Sequence, residues 1–357
     1  MLPPTLVRRL VAAPLVVTIA AALAVLAPPV AILTAAVNLI RRRRTRMRLL
    51  RVVCFGLVWF LGETAAVTVF GCLWIVSGFG GRLDTEPYQS RHYGIMRRFL
   101  DLMYGTAERT CGLKVDVTGP PEAAGTDRAT RPLIVLSRHA GPGDSLLLVH
   151  HLLSACGRRP RVVMKATLQL DPSLDIAANR LPNAFVHHRH AGTKYHVGQI
   201  KRLAAGLDPK GALVIFPEGG NWTPQRWRRS VARLRRQGLH DLAERAVAMP
   251  HVLPPRVGGA LAAVAACPAA DVVFVAHTGL DKLVGVRDVW QRLSADLRVR
   301  AQWWRVPAAE VPREAGQDAQ VSWLYDWWQR IDAWISEQNA DQTPPQITAV
   351  TGPDPLI

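Results

Sequence analysis

The chain has 357 residues, of which 49% are hydrophobic and 20% are charged, so an intrinsically disordered protein is excluded. Its length allows one substantial globular domain together with a further segment. The formal net charge of +17 predicts a negatively charged partner: a nucleic acid, an anionic membrane surface or a phosphorylated substrate. Five scattered cysteines without a CxxC pair argue against a disulfide framework or a zinc site and indicate a reducing compartment.

Two long apolar segments begin the chain. Residues 10–40 contain no charged side chain and exceed the ~20 residues that a membrane-spanning helix needs. A secretory signal peptide is the alternative, but its apolar core is only about 7 to 15 residues long. The second segment, residues 52–79, is interrupted only by Glu63, and an arginine-rich elbow joins the two. We therefore predict a two-helix membrane anchor with a basic elbow over residues 1–80.

A polar connector, residues 81–131, links the anchor to the remainder of the chain, with a helix predicted at residues 93–111. From residue 132 to residue 357, short β-rich runs alternate with helical patterns. This alternation predicts a layered α/β domain with a mixed, mostly parallel sheet flanked by helices. The predicted strands are residues 133–137, 161–165, 184–188, 212–216 and 271–277, and the predicted helices are residues 144–155, 193–205, 225–237 and 321–337.

A histidine and an aspartate lie in one short loop directly after the first strand of this domain. His139 and Asp144 flank the turn-forming sequence Gly141-Pro142-Gly143, and Asp144 is well placed to begin the next helix. A compact turn brings the carboxylate to the imidazole, fixes its tautomer and leaves the other ring nitrogen free to accept a proton. The alternative is a helix cap beside an ordinary loop histidine, because this spacing alone also arises by chance.

A second loop follows another predicted strand and has the sequence Phe-Pro-Glu-Gly-Gly-Asn over residues 216–221. It brings the carboxylate of Glu218 and a flexible glycine pair to the strand ends, where α/β folds assemble their sites. Capping of the following helix is the alternative role for Glu218. Beside the histidine and aspartate of the first loop, we interpret Glu218 as a functional residue.

These segments resemble the motifs of the glycerophospholipid acyltransferase superfamily, in the same order. Residues 139–144 resemble its HxxxxD motif, and residues 216–219 resemble its FPEG motif. Between them, residues 165–168 resemble the KxxL segment, and residues 185–189 resemble a block that ends in arginine. Residues 253–256 resemble the proline-containing fourth block, in the form found in lysophosphatidic acid and lysocardiolipin acyltransferases.

The resemblance extends over residues 132–278 and implies an enzyme similar to bacterial 1-acylglycerol-3-phosphate acyltransferases. One departure is Arg138, which stands where the family usually has asparagine, and another is Gly220, which stands where threonine is common. Carried over by motif, the catalytic residues are His139 as general base and Asp144 as its orienting partner. The implied substrate-binding residues are Glu218, Gly219, Arg189, Lys165 and Arg256, the last two as phosphate contacts.

The implied reaction moves a fatty acyl chain from acyl-CoA or acyl-carrier protein to lysophosphatidic acid, giving phosphatidic acid. Other acceptors stay open: glycerol 3-phosphate, a lysophospholipid, a glycolipid, or transacylation between phospholipids. A membrane scaffold without activity would need a broken histidine and aspartate pair, and a nucleic-acid-binding protein would leave the apolar segments unexplained. The expected partners are therefore membrane lipids, a thioester donor and a lysophospholipid acceptor.

No cofactor and no metal ion are expected, because a thioester is already activated and a positioned base suffices. A group of histidines, His187, His188, His190 and His196, has no carboxylate or cysteine at ligand spacing. An arginine-rich stretch follows the second loop at residues 226–236 and is predicted to contact anionic lipid headgroups or a phosphorylated donor. A solvated helix face is the alternative for this stretch.

The topology of the anchor is set by two requirements. The positive-inside rule places the arginine elbow in the cytoplasm, and thioester donors require the catalytic domain there as well. Two complete crossings would separate the elbow from the domain. Because Pro28-Pro29 is expected to break the first helix, we predict that at least one segment dips into one leaflet. The protein is then expected at the cell membrane, with its catalytic domain on the cytoplasmic face.

Overall fold

A computed structural model describes residues 3–41, 47–119, 130–141, 143–186, 193–281 and 297–340. Its strands are β1 (Lys114–Thr118), β2 (Leu133–Ser137), β3 (Arg159–Lys165), β4 (Ala184–Val186), β5 (Gly211–Ile215), β6 (Asp271–Thr278) and β7 (Arg298–Val306). Its helices are α1 (Thr5–Arg41), α2 (Met47–Val76), α3 (Glu86–Cys111), α4 (Asp144–His150), α5 (Pro172–Arg180), α6 (Thr193–Ala205), α7 (Pro224–Arg236), α8 (His240–Val247), α9 (Val257–Ala266) and α10 (Gln317–Ala340).

The strands form one seven-stranded sheet in the order β1-β7-β6-β2-β5-β3-β4. Only the β6–β7 pair is antiparallel among the strand pairs of the described residues. The predicted α/β class with a mixed, mostly parallel sheet is confirmed. Strand β2 lies in the middle of the sheet and is buried at every residue, as its uninterrupted apolar sequence requires.

Alternate residues of each central strand pack against different helical layers. Leu133 and Val135 pack with α3 and α4, and we call this face the anchor side because α2 packs on α3. Ile134 and Leu136 point to the other face, which is covered by α6, α7, α8, α9 and α10 and which we call the far side. The hydrophobic core therefore has two layers, one on each face of the sheet.

Two strands and three short helices were not predicted. β1 lies within the segment assigned to the connector, and it joins the sheet through parallel pairing with β7. The domain boundaries at residues 80 and 131 stay a prediction. β1 is largely exposed and alternates polar with apolar residues, so the partner that makes it a strand comes from almost two hundred residues further along the chain.

Helix α1 runs without interruption through Pro28 and Pro29, so our prediction that these prolines break the helix is wrong. Each proline removes one backbone donor, but the remaining hydrogen bonds and packing against α2 keep the segment helical, as is common in apolar helices. Two segments, Val7–Leu33 and Leu50–Val76, are long and apolar enough to cross a membrane by length and composition.

The N-terminal helices are held against the α/β part of the chain through α5. In α2, the buried carboxylate of Glu63 accepts hydrogen bonds from the Ser173 hydroxyl at 2.6 Å and the Ser173 amide at 3.2 Å. In α1, Arg8 and Arg9 form ion pairs with Asp175 at 2.7 and 3.1 Å. Asp175 is buried, so both helices of the anchor contact one short helix of the domain.

Candidate active site

The predicted site residues converge because they follow parallel strands that lie side by side. β2, β5, β3 and β4 are neighbours in that order, and all run in the same direction. Their carboxyl ends therefore meet at one edge of the sheet, which is where α/β folds form ligand sites. The loop after β2 carries His139, the loop after β5 carries Glu218, and Lys165 is the last residue of β3.

The loop after β2 forms the hydrogen-bonded pair that its sequence predicts. Nδ1 of His139 lies 2.9 Å from Oδ2 of Asp144. The same oxygen accepts hydrogen bonds from the backbone amides of Ala140 and Gly141, and the other carboxylate oxygen accepts one from the amide of Ser145. With amide donors on both oxygens, Asp144 acts as an acceptor, and His139 donates through Nδ1. The lone pair of Nε2 is then free to take a proton.

Asp144 is buried, yet it stays ionised. Burial by itself would raise the pKa of this carboxyl group. The hydrogen bond from His139, the charges of His277 and His139, and the Ala140 amide outweigh burial, and the pKa of Asp144 lies below its usual value. A negative charge therefore faces the imidazole, and a nearby carboxylate favours the protonated form of a histidine.

Glycine at position 141 is required by a close approach of two loops. A Cβ atom on Gly141 would lie 2.2 Å from the carbonyl oxygen of Leu280, well inside van der Waals contact. Gly143 has a φ of +90°, a conformation that favours glycine. These constraints keep the loop short enough for Asp144 to reach His139. Pro142, between the two glycines, lies outside the described residues.

The loop after β5 packs directly on the loop that carries His139. The ring of Phe216 lies 4.7 Å from the ring of His139, measured between centroids. The amide of Trp222 donates a 2.8 Å hydrogen bond to the carbonyl oxygen of His139. Gly219 closes the turn by donating to the Phe216 carbonyl at 3.0 Å and has a φ of +69°. The two loops therefore position the imidazole together.

Glu218 lies beneath these loops, with a side chain only 3% exposed. Neither of its carboxylate oxygens has a hydrogen-bond partner within the described part of the chain. Burial raises the pKa of Glu218 to about 8, although Arg138 and the nearby amides of Leu253 and His139 act in the opposite direction. The carboxyl group is therefore mostly protonated at neutral pH, and its role as an acceptor-site residue stays a prediction.

Sequence reasoning missed the buried charged residues under the site. The guanidinium group of Arg138 is 1% exposed and donates to the carbonyl oxygens of His277 at 2.5 Å and His251 at 2.9 Å. Asp281 lies 4.0 Å from the same group. Arg138 therefore connects the loop after β2 to β6 and to the segment before α9. Arg138 stands at a strand end beside His139, where the family that the sequence resembles usually has asparagine. This departure was the clue in the sequence to a special role of Arg138.

His277 is a second site residue that was not predicted. Its Nε2 lies 3.1 Å from the Arg138 carbonyl oxygen and 3.7 Å from Oδ2 of Asp144. Burial lowers the pKa of His277, although the charge of Asp144 opposes this effect. His277 therefore donates through Nε2 to the backbone of the loop after β2. Its position near the carboxyl end of a predicted strand was the only clue in the sequence.

Of the remaining predicted residues, those that the structure describes lie at the same edge of the sheet. Lys165 is half-buried and pairs with Val186, the last residue of β4. Arg256 donates through its amide to the Pro217 carbonyl, and its guanidinium carbon is 2.7 Å from where a Cβ of Gly219 would be. Arg189 lies outside the described residues, as do His187, His188 and His190.

Within the described ranges, no group of three or more His, Cys, Asp or Glu side chains is arranged to hold a metal ion.

The chain was compared with models of known protein families, and one family model matches it. Residues 115–258 match the family model described as Acyltransferase, which covers the loops after β2, β3, β4 and β5. Searches of curated proteins and of solved structures each found no match to the chain.

Proposed function

Because residues 115–258 match the family model described as Acyltransferase, we propose that this chain is a lysophosphatidic acid acyltransferase of the glycerophospholipid acyltransferase superfamily. It moves a fatty acyl chain from acyl-CoA or acyl-carrier protein to the free hydroxyl of lysophosphatidic acid. The observation that carries the proposal is the 2.9 Å pair of His139 Nδ1 with Asp144, which leaves Nε2 available as a base. The donor is a substrate, and no cofactor is invoked.

The proposed reaction is a direct transfer. Nε2 of His139 removes the proton of the acceptor hydroxyl as its oxygen attacks the thioester carbonyl. Asp144 stabilises the imidazolium that forms. The tetrahedral intermediate then collapses with cleavage of the C–S bond, and the imidazolium returns its proton to the leaving thiolate. The ester and the free thiol are the products, and the enzyme returns to its starting protonation state.

The acceptor's phosphate is proposed to bind Lys165, Arg189 and Arg256. β5 separates β2 from β3, so the ends of the two strands lie ~10 Å apart. This spacing lets Lys165 hold a phosphomonoester while the hydroxyl of the same small molecule lies at His139. An ammonium point charge together with guanidinium groups suits a phosphate dianion. Glycerol 3-phosphate fits the same chemistry and is the alternative acceptor.

Purified protein offered acyl-CoA with a panel of acceptors tests this proposal. The panel contains lysophosphatidic acid, glycerol 3-phosphate, lysophosphatidylcholine and a glycolipid. We expect the highest kcat/KM for lysophosphatidic acid, detected as phosphatidic acid by mass spectrometry. A higher kcat/KM for another acceptor would identify that molecule as the substrate instead. Failure to acylate any acceptor would favour a membrane scaffold without activity.

Replacing Lys165 with alanine is expected to raise the KM for lysophosphatidic acid roughly 10- to 150-fold, since a charged hydrogen bond contributes about 1.5 to 3 kcal/mol. The KM for acyl-CoA should change little. Arg189→Ala should act in the same direction. The matched control is Lys210→Ala, because Lys210 is exposed and immediately precedes β5, at the opposite edge of the sheet. A rise in the donor's KM alone would assign Lys165 to the thioester instead.

The anchor is proposed to enter one leaflet rather than to cross the bilayer twice. Glu63 lies at the middle of the apolar segment Leu50–Val76 and hydrogen-bonds Ser173 in the catalytic domain. A complete crossing by α2 would draw α5, with its buried Asp175, toward the bilayer centre, where charged groups are costly. α3 also packs along α2 and presents exposed arginines to its surroundings. A single-leaflet anchor avoids this cost.

Cysteine labelling tests this topology. In a background with the five native cysteines replaced by serine, single Thr45→Cys and Thr126→Cys variants are treated with an impermeant maleimide. We expect both positions to react in inside-out vesicles and neither to react in intact cells, because elbow and domain share the cytoplasmic face. Reaction of the two positions from opposite sides of the membrane would contradict this and restore a two-span hairpin.

A further inference from the structure

Glu63 is a buried carboxylate within the apolar helix α2. It lies in the segment Leu50–Val76 and is only 2% exposed. Its two oxygens accept hydrogen bonds from the hydroxyl of Ser173 at 2.6 Å and from the amide of the same residue at 3.2 Å. Ionisable groups within membrane segments are costly and rare, and they commonly mark functional sites. The contact that Glu63 makes with α5 therefore requires an explanation beyond anchoring.

Further contacts hold α5 against the anchor along its length. At the middle of α5, Asp175 forms ion pairs with Arg8 and Arg9 of α1. At its end, the guanidinium group of Arg180 donates a 2.8 Å hydrogen bond to the carbonyl oxygen of Phe70 in α2. Apolar side chains of α2 also pack against the same helix. Together with the hydrogen bonds near its start, these contacts fix the position of α5 on the anchor at both of its ends.

α5 is joined to the end of β3 by a short, structured connection. A 3-10 helix of residues 166–170 leads from Lys165 to Asp171, which caps α5 by accepting a 2.9 Å hydrogen bond from the Leu174 amide. After α5, the side chain of Asn183 accepts a 2.7 Å hydrogen bond from the Val162 amide and so returns the chain to β3. A displacement of α5 therefore moves the strand end that carries Lys165.

We propose that Glu63 is a positioning residue of the acceptor site and that it acts through Ser173, α5 and Lys165. This inference rests on the proposed function, in which Lys165 binds the acceptor's phosphate. A tether alone needs no polar group at position 63, because apolar packing between α2 and α5 would also hold the two parts together. Hydrogen bonds to a buried carboxylate are directional, and buried polar groups are best known for fixing the register of packed helices. The anchor is then part of the substrate site.

Purified full-length protein in vesicles of phosphatidylglycerol and phosphatidylcholine tests this role, with lysophosphatidic acid as acceptor and acyl-CoA as donor. In Glu63→Leu, we expect the KM for lysophosphatidic acid to rise roughly 2- to 30-fold, the range for residues that act on a site through packed contacts. The KM for acyl-CoA and kcat should stay nearly constant. Flotation with the vesicles should be retained, because leucine makes α2 more apolar. Glu63→Gln keeps an acceptor oxygen for the Ser173 hydroxyl, so its KM should lie nearer that of the unchanged protein.

Combined variants show whether the effect passes through the proposed contacts. Ser173→Ala removes the other partner, so adding it to Glu63→Leu should raise the KM for the acceptor little further. For the same reason, Glu63→Leu should have a much smaller effect in a Lys165→Ala background than in the unchanged protein. The matched control is Thr68→Leu, because Thr68 is exposed on α2 and its hydroxyl donates to the Thr64 carbonyl of its own helix at 2.7 Å. This variant should leave both KM values unchanged.

An unchanged KM for lysophosphatidic acid in both Glu63→Leu and Ser173→Ala would overturn the inference. Loss of flotation by Glu63→Leu would also overturn it, because Glu63 would then serve membrane binding, and so would an effect that multiplies fully with that of Lys165→Ala. If Glu63→Leu does not fold, Ser173→Ala, which deletes a single hydroxyl, decides the question. Failure of the unchanged protein to acylate lysophosphatidic acid would contradict the proposed function instead, and that result is obtained before any variant is made.

Discussion

Replacing His139 with alanine is expected to lower acyl transfer by ~10²- to 10⁴-fold, the usual cost of losing a general base. In the proposed mechanism, the ring accepts the hydroxyl proton through Nε2. Within the described residues, no other side chain is hydrogen-bonded to Asp144 and could serve as the base instead. The nearest candidate, His277, is buried, and its Nε2 lies 3.7 Å from that carboxylate. The measurement is initial-rate formation of phosphatidic acid from acyl-CoA by purified protein.

Asp144→Asn is expected to cause a loss of similar size. The amide cannot match a carboxylate in stabilising the imidazolium, and it can favour the wrong tautomer of His139. His240→Ala serves as the control, since His240 is exposed at the start of α8. Its activity should be unchanged, and all three variants should retain membrane binding. Near-normal turnover by folded His139→Ala protein would contradict the proposed mechanism.

The second large effect is on stability, and it concerns Glu218. The pKa of this residue is about 8 in the folded protein against an ordinary value of 4.5, so between these pH values the folded state binds a proton that the unfolded state has lost. Stability must then fall as the pH rises through this window. At 1.36 kcal/mol per pKa unit, the contribution of this group amounts to ~5 kcal/mol, as an order of magnitude.

The Glu218→Gln variant isolates this contribution, because glutamine does not titrate. Its free energy of unfolding should approach that of the unchanged protein near pH 5 and exceed it by a few kcal/mol near pH 9. Denaturant unfolding in detergent at a series of pH values measures the difference. Glu310→Gln, at an exposed carboxyl group, should show almost no such pH dependence. Parallel curves for Glu218→Gln and the unchanged protein would show that Glu218 is ionised in the fold.

The sequence by itself determined the features that depend on neighbouring residues. The pairing of His139 with Asp144 needs only a turn of the four residues between them, and both the turn-forming glycines and the strand before them are visible in the sequence. β2 was predicted at its observed bounds, and α6 likewise, because their apolar patterns are strong over short windows. The convergence of the loops after β2 and β5 follows from parallel strands, which the alternation of strands and helices indicates.

Only the tertiary structure decided the features that depend on distant partners. β1 is a strand because β7 lies beside it, and α1 stays helical through Pro28-Pro29 with α2 packed along it. Arg138 is buried because carbonyl oxygens from two distant segments accept its hydrogen bonds. The raised pKa of Glu218 requires the burial that the loops above it provide. Each of these properties depends on contacts between segments that are far apart in the chain. A local sequence pattern therefore does not predict it.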